Sequence, residues 1–195
     1  MAAGLEVPLD PLPESRFFDP DIRCPHPERW HSTDGCSAEI EVGELIAGFV
    51  RALQPDLVVE TGAAFGITSA VIGTALERNG HGRLVALEID ELRAEMAEAK
   101  CAGLPVSIVR ESSLEWTPPE PVNVLFSDTE MLLRVPETFR LLDYLPVGSL
   151  VIFHDTGPRY GFLRAAIEDE LIIPGLLGAP IDLITPRGLT ICQRI

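Results

Sequence analysis

The spacing of apolar positions along the chain changes several times, and each change marks an element. Ile40, Leu45, Ile46, Phe49, Val50 and Leu53 recur at helical spacing after Ser37, a residue suited to cap a helix, with Glu39 and Glu41 in the first turn and Pro55 closing the segment. Leu57-Val58-Val59 then reads as a short β-branched strand, followed by a glycine-bearing turn and a helical stretch over 68–76. The alternation continues with strands over 83–89, 106–109, 122–126 and 150–153 and helices over 91–101, 136–142 and 162–172. Two last apolar runs, 181–185 and 189–193, are joined by Pro186-Arg187-Gly188 and predict a hairpin. Strands separated by helices of this length pair in parallel through right-handed crossovers. The expected fold is therefore α/β: a Rossmann-like three-layer sandwich with a mostly parallel seven-stranded sheet and a C-terminal antiparallel hairpin. In such a sheet ligands bind outside the carboxyl ends of the strands.

The first 36 residues do not share this pattern. Pro8, Pro11, Pro13, Pro20, Pro25 and Pro27 interrupt any regular element, while Phe17, Phe18 and Trp30 give the segment apolar material to lay on a surface. Residues 1–36 are thus expected to form an arm, serving as a lid over a ligand or simply packing on its own or a neighbouring subunit. Residues 37–195 make one domain. A homo-oligomer is compatible with this reading.

Composition narrows the partners. The chain has 195 residues, a formal charge of −15 and 46% hydrophobic residues, which is too apolar for intrinsic disorder. It has no apolar run of the roughly 20 residues that span a bilayer. The acidity disfavours phosphate backbones and anionic lipid surfaces, so neither a nucleic acid nor a membrane is expected as partner; a small molecule is. The opening Met1-Ala2-Ala3-Gly4-Leu5-Glu6 lacks the basic and apolar regions of a secretory signal, and a cytoplasmic location is the expectation. Four scattered cysteines show no Cys-x-x-Cys pair. Cys24, His26, His31 and Cys36 are of zinc-ligand type, but their spacing matches no common zinc motif.

The chemistry concentrates at the strand ends. Glu60-Thr61-Gly62-Ala63-Ala64-Phe65-Gly66 closes the first strand with two glycines that permit a sharp turn and a close ligand approach. A dinucleotide loop needs a further glycine where Ala64 stands, and a carboxylate at Glu60 suits an ammonium or sulfonium better than a pyrophosphate. Glu88, at the end of the second strand, is placed to accept from ribose hydroxyls. Glu111-Ser112-Ser113-Leu114 offers polar groups and an apolar edge for an adenine.

In this order the residues resemble the class I S-adenosylmethionine-dependent methyltransferases over about residues 33–195, most specifically at Val58-Val59-Glu60-Thr61-Gly62-Ala63-Ala64-Phe65-Gly66-Ile67-Thr68. Within that class the likeness is greatest to small-molecule O-methyltransferases of the catechol type and their bacterial natural-product relatives. The resemblance implies that Glu60, Gly62, Ala63 and Gly66 form the methionine-side loop, that Thr68 donates to the methionine carboxylate, that Glu88 holds the ribose and that Ser113 neighbours the adenine. It places Thr33-Asp34-Gly35 near the methionine end and Asp128 beside the cofactor.

The reacting end departs from the pattern. The catechol-type enzymes hold magnesium with an Asp after strand four and an Asp-Asn pair after strand five; the matching positions here are Asp128 and Asp155-Thr156, with Glu130 as a further carboxylate. The resemblance accordingly implies Mg2+ or another divalent cation at Asp128, Asp155 and Thr156. The catalytic lysine of those relatives is replaced by Met131. His154 is the candidate base and His31 a second one, while Asp128 and Asp155 with a metal are the other means of activating the acceptor hydroxyl. Strict alternation would point His154 and Asp155 in opposite directions unless a turn separates them. The expected reaction is methyl transfer to a hydroxyl of a small acceptor. The alternatives are an NAD-dependent oxidoreductase and a catalytically inactive cofactor-binding partner protein. Thr117-Pro118-Pro119-Glu120 precedes strand four and is not the Asn/Asp-Pro-Pro-Tyr/Phe element of nucleic-acid methyltransferases.

Overall fold

A computed structural model describes residues 20–195. The seven strands are β1 (Leu57–Thr61), β2 (Arg83–Leu87), β3 (Val106–Val109), β4 (Val124–Ser127), β5 (Leu150–His154), β6 (Ile181–Leu183) and β7 (Leu189–Gln193). They lie in the order β3-β2-β1-β4-β5-β7-β6. The first five strands pair in parallel, and β7 runs antiparallel to both β5 and β6. This is the expected architecture, with the order reversing between β1 and β4.

Helices α1 (Ile40–Leu53), α2 (Ile67–Asn79), α3 (Glu91–Lys100), α4 (Arg134–Leu141) and α5 (Gly161–Ile167) form the outer layers. Val42, Ile46 and Val50 of α1 and Ile72 and Leu76 of α2 join Val58, Leu84, Phe126 and Ile152 in one core. Val135 and Leu141 of α4 and Leu163 and Ile167 of α5 join Leu57, Val59, Leu125 and Phe153 in the other. Alternate residues of each central strand thus feed opposite cores, which is why the strands read as continuous apolar runs. Phe126 is fully buried, and its truncation to alanine would cost about 3–5 kcal/mol.

Element ends depart from the sequence reading for local reasons. Ser37 does not cap α1: its amide and hydroxyl both donate to Asp34, at 2.6 and 2.9 Å, and the helix begins three residues later. The predicted helix over 162–172 divides into α5 and a π-helical turn over Glu168–Ile172. β5 includes His154, and Asp155 then takes a left-handed φ of 56°. That turn lets both side chains face the same space.

The first 19 residues of the arm, with Phe17 and Phe18, lie outside the described residues. The remainder is tied down: Asp21 N donates to Pro186 O at 2.7 Å, Ile40 N to His31 O at 2.9 Å, and Trp30 packs on the first core. Among the described residues no helix is long and apolar enough to cross a membrane.

Candidate functional site

The loop after β1 is built for close approach. Gly62 and Ala63 donate their amides to Leu87 O at 3.0 and 2.9 Å, pinning the loop to the end of β2. A Cβ on Gly62, whose φ is 82°, would stand 2.5 Å from Asp128 O, so only glycine lets this loop meet the end of β4. Ala64 adopts a left-handed φ of 46°, the conformation that glycine would usually supply, and its amide donates to Glu88 Oε2 at 2.8 Å. Such a backbone costs about 1–2 kcal/mol for a residue with a Cβ, and the Glu88 contact holds it in place. Glu88 Oε1 accepts from Asp90 N at 2.9 Å, so one carboxylate organises the ends of both loops.

These loops border a cleft of about 520 Å³ at the carboxyl ends of the strands, within the roughly 300–1,000 Å³ of small-molecule sites. Gly62, Ala64, Glu88, Ser113, Asp128 and Asp155 all line it, as do Cys36, Glu130, Met131, Arg134 and Arg187. Arg93, on the rim, lies over the Phe65 ring at 5.8 Å.

Several residues expected at the cofactor are placed elsewhere. Glu60 is 1% exposed and accepts from the Ser69 hydroxyl beneath the loop. Burial pushes its carboxyl up to about 8, so it is a neutral acid at pH 7 and not a counter-charge for a cation. Ala63 packs into the first core and Thr68 is buried behind the loop. Gly66 caps α2, and a Cβ there would strike Ala97 of α3 at 2.7 Å; its role is helix packing. The Thr156 hydroxyl is hydrogen-bonded to that of Thr190 on β7 at 2.8 Å. The Cys24, His26, His31 and Cys36 group does not converge: among the described residues the one cluster of three or more such ligand types is Asp128, His154 and Asp155.

That cluster is the electrostatic centre of the cleft floor. Arg134, the first residue of α4 and 2% exposed, donates from Nη2 to Asp128 Oδ1 at 2.9 Å and to Asp155 Oδ2 at 3.0 Å. Its Nε donates to Thr129 O at 2.9 Å and its Nη1 to His154 O. Arg187, from the hairpin turn, holds Asp155 through Nε and Nη2 at 2.6 and 2.9 Å and Ser37 O through Nη1 at 3.1 Å. His154 is fully buried, with Nδ1 3.0 Å from Asp128 Oδ1 and Nε2 2.7 Å from Glu39 Oε2. Burial alone would lower its pKa, but Asp128, Asp155 and Glu39 outweigh that and hold it at about 9. Burial would likewise raise Asp155, yet His154, Arg187 and Arg134 bring it down to about 2. Glu39, against its own burial, is lowered by His154 and Arg187.

His154 is therefore an imidazolium at neutral pH with both nitrogens engaged, which leaves no lone pair for a general base. His31, the second candidate, stands outside the cleft lining and is paired through Nδ1 with Glu41 at 2.6 Å.

Beneath the cleft, Glu137 of α4 is fully buried and accepts from four hydroxyls: Thr61 at 2.6 Å, Ser127 at 2.5 Å, Ser113 at 2.7 Å and Thr129 at 3.0 Å. Burial raises its pKa despite these donors. Ser113 is thus oriented by Glu137 at the cleft wall. Arg134 and Glu137 carry no signal in the sequence pattern, Glu39 reads there only as a first-turn acid and Arg187 only as a turn residue; the usable signal is that buried aspartates at strand ends require counter-charges.

The family described as "Methyltransferase domain" matches residues 59–156. No curated protein matches the chain. Among solved structures the chain is similar to the O-methyltransferase from Bacillus cereus in complex with SAH, with 17% identity, 83% of this chain and 84% of that one covered, and a TM-score of 0.70. It is similar to TomG from Streptomyces achromogenes, an O-methyltransferase involved in tomaymycin synthesis and solved with SAM, at 21% identity, 82% coverage of both chains and a TM-score of 0.67. A methyltransferase from Geobacter sulfurreducens aligns at 20% identity over 81% of each chain, with a TM-score of 0.66.

Proposed function

The chain belongs to the methyltransferase domain family, and from that premise we propose that it binds S-adenosylmethionine in the cleft and transfers the methyl group to a hydroxyl oxygen of a small molecule. The observation that carries this reading is the convergence of Gly62, Glu88, Ser113 and Asp128 on one cleft at the point where the strand order reverses. Both Glu88 oxygens already accept one amide each, and each retains a lone pair for a ribose hydroxyl. Ser113, oriented by Glu137, borders the adenine position. Asp128 directs Oδ1 at Arg134 and His154, leaving Oδ2 for the methionine ammonium.

Transfer is an in-line displacement: the acceptor oxygen forms a bond to the methyl carbon, the carbon–sulfur bond breaks, and S-adenosylhomocysteine leaves as a neutral thioether. Holding the two reactants in line supplies much of the acceleration. Neither His154 nor His31 is placed to take the acceptor's proton. A phenol-type hydroxyl, which ionises near pKa 10 as tyrosine does, suits such a site better than an aliphatic alcohol, and releases its proton to water at the open mouth of the cleft.

Titration calorimetry with S-adenosylhomocysteine and with NAD tests the first half of this reading; binding of NAD alone would replace it with the oxidoreductase alternative. Methyl transfer to a panel of phenols and matched aliphatic alcohols tests the second. Cofactor binding without turnover on either panel would favour the inactive partner protein.

A further inference from the structure

The resemblance to the catechol-type enzymes implies a divalent cation between the acidic residues after the fourth and fifth strands, and the donor set here does not fit one. Divalent magnesium requires a near-octahedral shell of oxygens, several of them water. Asp155 commits both oxygens to Arg187 and Oδ2 also to Arg134, while Asp128 Oδ1 is shared by Arg134 and His154. Thr156, the third position, turns its hydroxyl to Thr190. The point from which a single cation would reach both aspartates is held by Arg134 Nη2, at 2.9 and 3.0 Å. The guanidiniums of Arg134 and Arg187 already pair with both carboxylates, so a divalent ion would have to displace Arg134 to reach Asp128 and Asp155 together.

We infer that Arg134 is the built-in cation of this site, bridging Asp128 and Asp155 in place of a divalent metal, and that methyl transfer here is independent of added metal. The second half rests on the proposed function; the first does not. A guanidinium suits the task because its fork is planar and permanently charged. Arg134 uses that fork on four acceptors, binding Thr129 O and His154 O as well as the two carboxylates. It fixes the end of β4 against the end of β5 and so acts as a positioning residue for Asp128, without contact to the reacting atoms.

The test is a titration of the full chain with Mn2+, followed by electron paramagnetic resonance in the presence of S-adenosylhomocysteine, on the wild type, Arg134→Met and the double variant Arg134→Met/Asp128→Asn. The expected result is no loss of the free-ion signal with the wild type, loss of one equivalent with Arg134→Met, and no loss with the double variant. Uptake by the wild type that Asp155→Asn abolishes would overturn the inference, as would a folded Arg134→Met that takes up no metal. Should Arg134→Met not fold, Arg134→Gln, which keeps two N–H donors but no charge, replaces it in the same comparison. Calorimetry on the same samples reports S-adenosylhomocysteine affinity separately: its absence removes the methyl-transfer reading and leaves the Mn2+ result standing.

Discussion

The imidazole of His154 joins Glu39 to Asp128, at 2.7 and 3.0 Å, and thereby ties the entrance of α1 to the ends of β4 and β5. Because the pKa of His154 is held at about 9 in the fold against roughly 6.5 in an unfolded chain, the folded state binds the extra proton. The stability this provides is fully present below about pH 6.5 and is lost as pH rises through 9. Urea midpoints are expected to fall over that window in the wild type and to change less in His154→Gln. Glu39→Gln leaves the imidazolium with one fewer buried carboxylate and is expected to cost about 3–5 kcal/mol at pH 7, measured by the same melts.

Glu60 predicts a variant that gains as pH rises. Its carboxyl, raised by burial to about 8, must give up a proton at high pH without a cation nearby. Its contribution is present below about pH 4.5 and lost as pH rises through 8. Glu60→Gln carries the neutral form's shape permanently, so its stability relative to wild type should increase steadily between pH 5 and 8.5. A constant difference across that range would show that Glu60 is ionised in the fold.

The four hydroxyls around Glu137 make its removal severe. Glu137→Ala strands the buried hydroxyls of Thr61, Ser113 and Ser127, each costing about 1–3 kcal/mol, along with the half-buried one of Thr129, and is expected to yield little folded protein. Glu137→Gln keeps one acceptor oxygen and should fold with a reduced melting temperature and weaker S-adenosylhomocysteine binding, since Ser113 loses its orientation.

Two glycines in one loop separate binding from packing. Gly62→Ala forces a Cβ within 2.5 Å of Asp128 O and should reduce both the melting temperature and nucleoside affinity. Gly66→Ala meets Ala97 at 2.7 Å on the far side of α2 and should lower the melting temperature while the folded fraction keeps its affinity. Calorimetry combined with thermal melts distinguishes the two.

Glu88→Gln is expected to weaken S-adenosylhomocysteine binding about ten- to a hundredfold, the equivalent of one charge-assisted hydrogen bond of about 1.5–3 kcal/mol. The Ala64 amide contact survives if the side-chain carbonyl takes it, so the melting temperature should move little.

Elements whose boundaries depend on local pattern were readable in the chain. Strands 106–109 and 189–193 appear with the predicted limits, because apolar alternation there is bounded by Leu104-Pro105 and by Gly188. The start of α1 was not, since Asp34 claims Ser37 through a turn that periodicity does not register. Glu88, Ser113 and Asp128 reach the cleft because strand ends in a parallel sheet point there by topology. Glu60 reads as a cleft residue only if the loop's inner and outer faces are confused; its burial under Ser69 is a tertiary fact. Arg134 and Glu137 sit on a helix whose charged residues pass for a solvated face, and only the packing of α4 on β4 and β5 turns them inward.

Arg187 lies 148 residues after Glu39, whose Oε1 accepts its amide at 3.1 Å, and 32 after Asp155. During synthesis the five parallel strands emerge before the hairpin that carries this arginine. A nascent chain at that stage has its sheet scaffold and Arg134 across Asp128 and Asp155, but Asp155 and Glu39 still lack the Arg187 contacts, and closing a loop of such length is slow. Competence to bind ligand should therefore lag behind collapse: the turn between β6 and β7 acts as the clasp, and a ribosome-bound chain stalled before residue 187 would lack it.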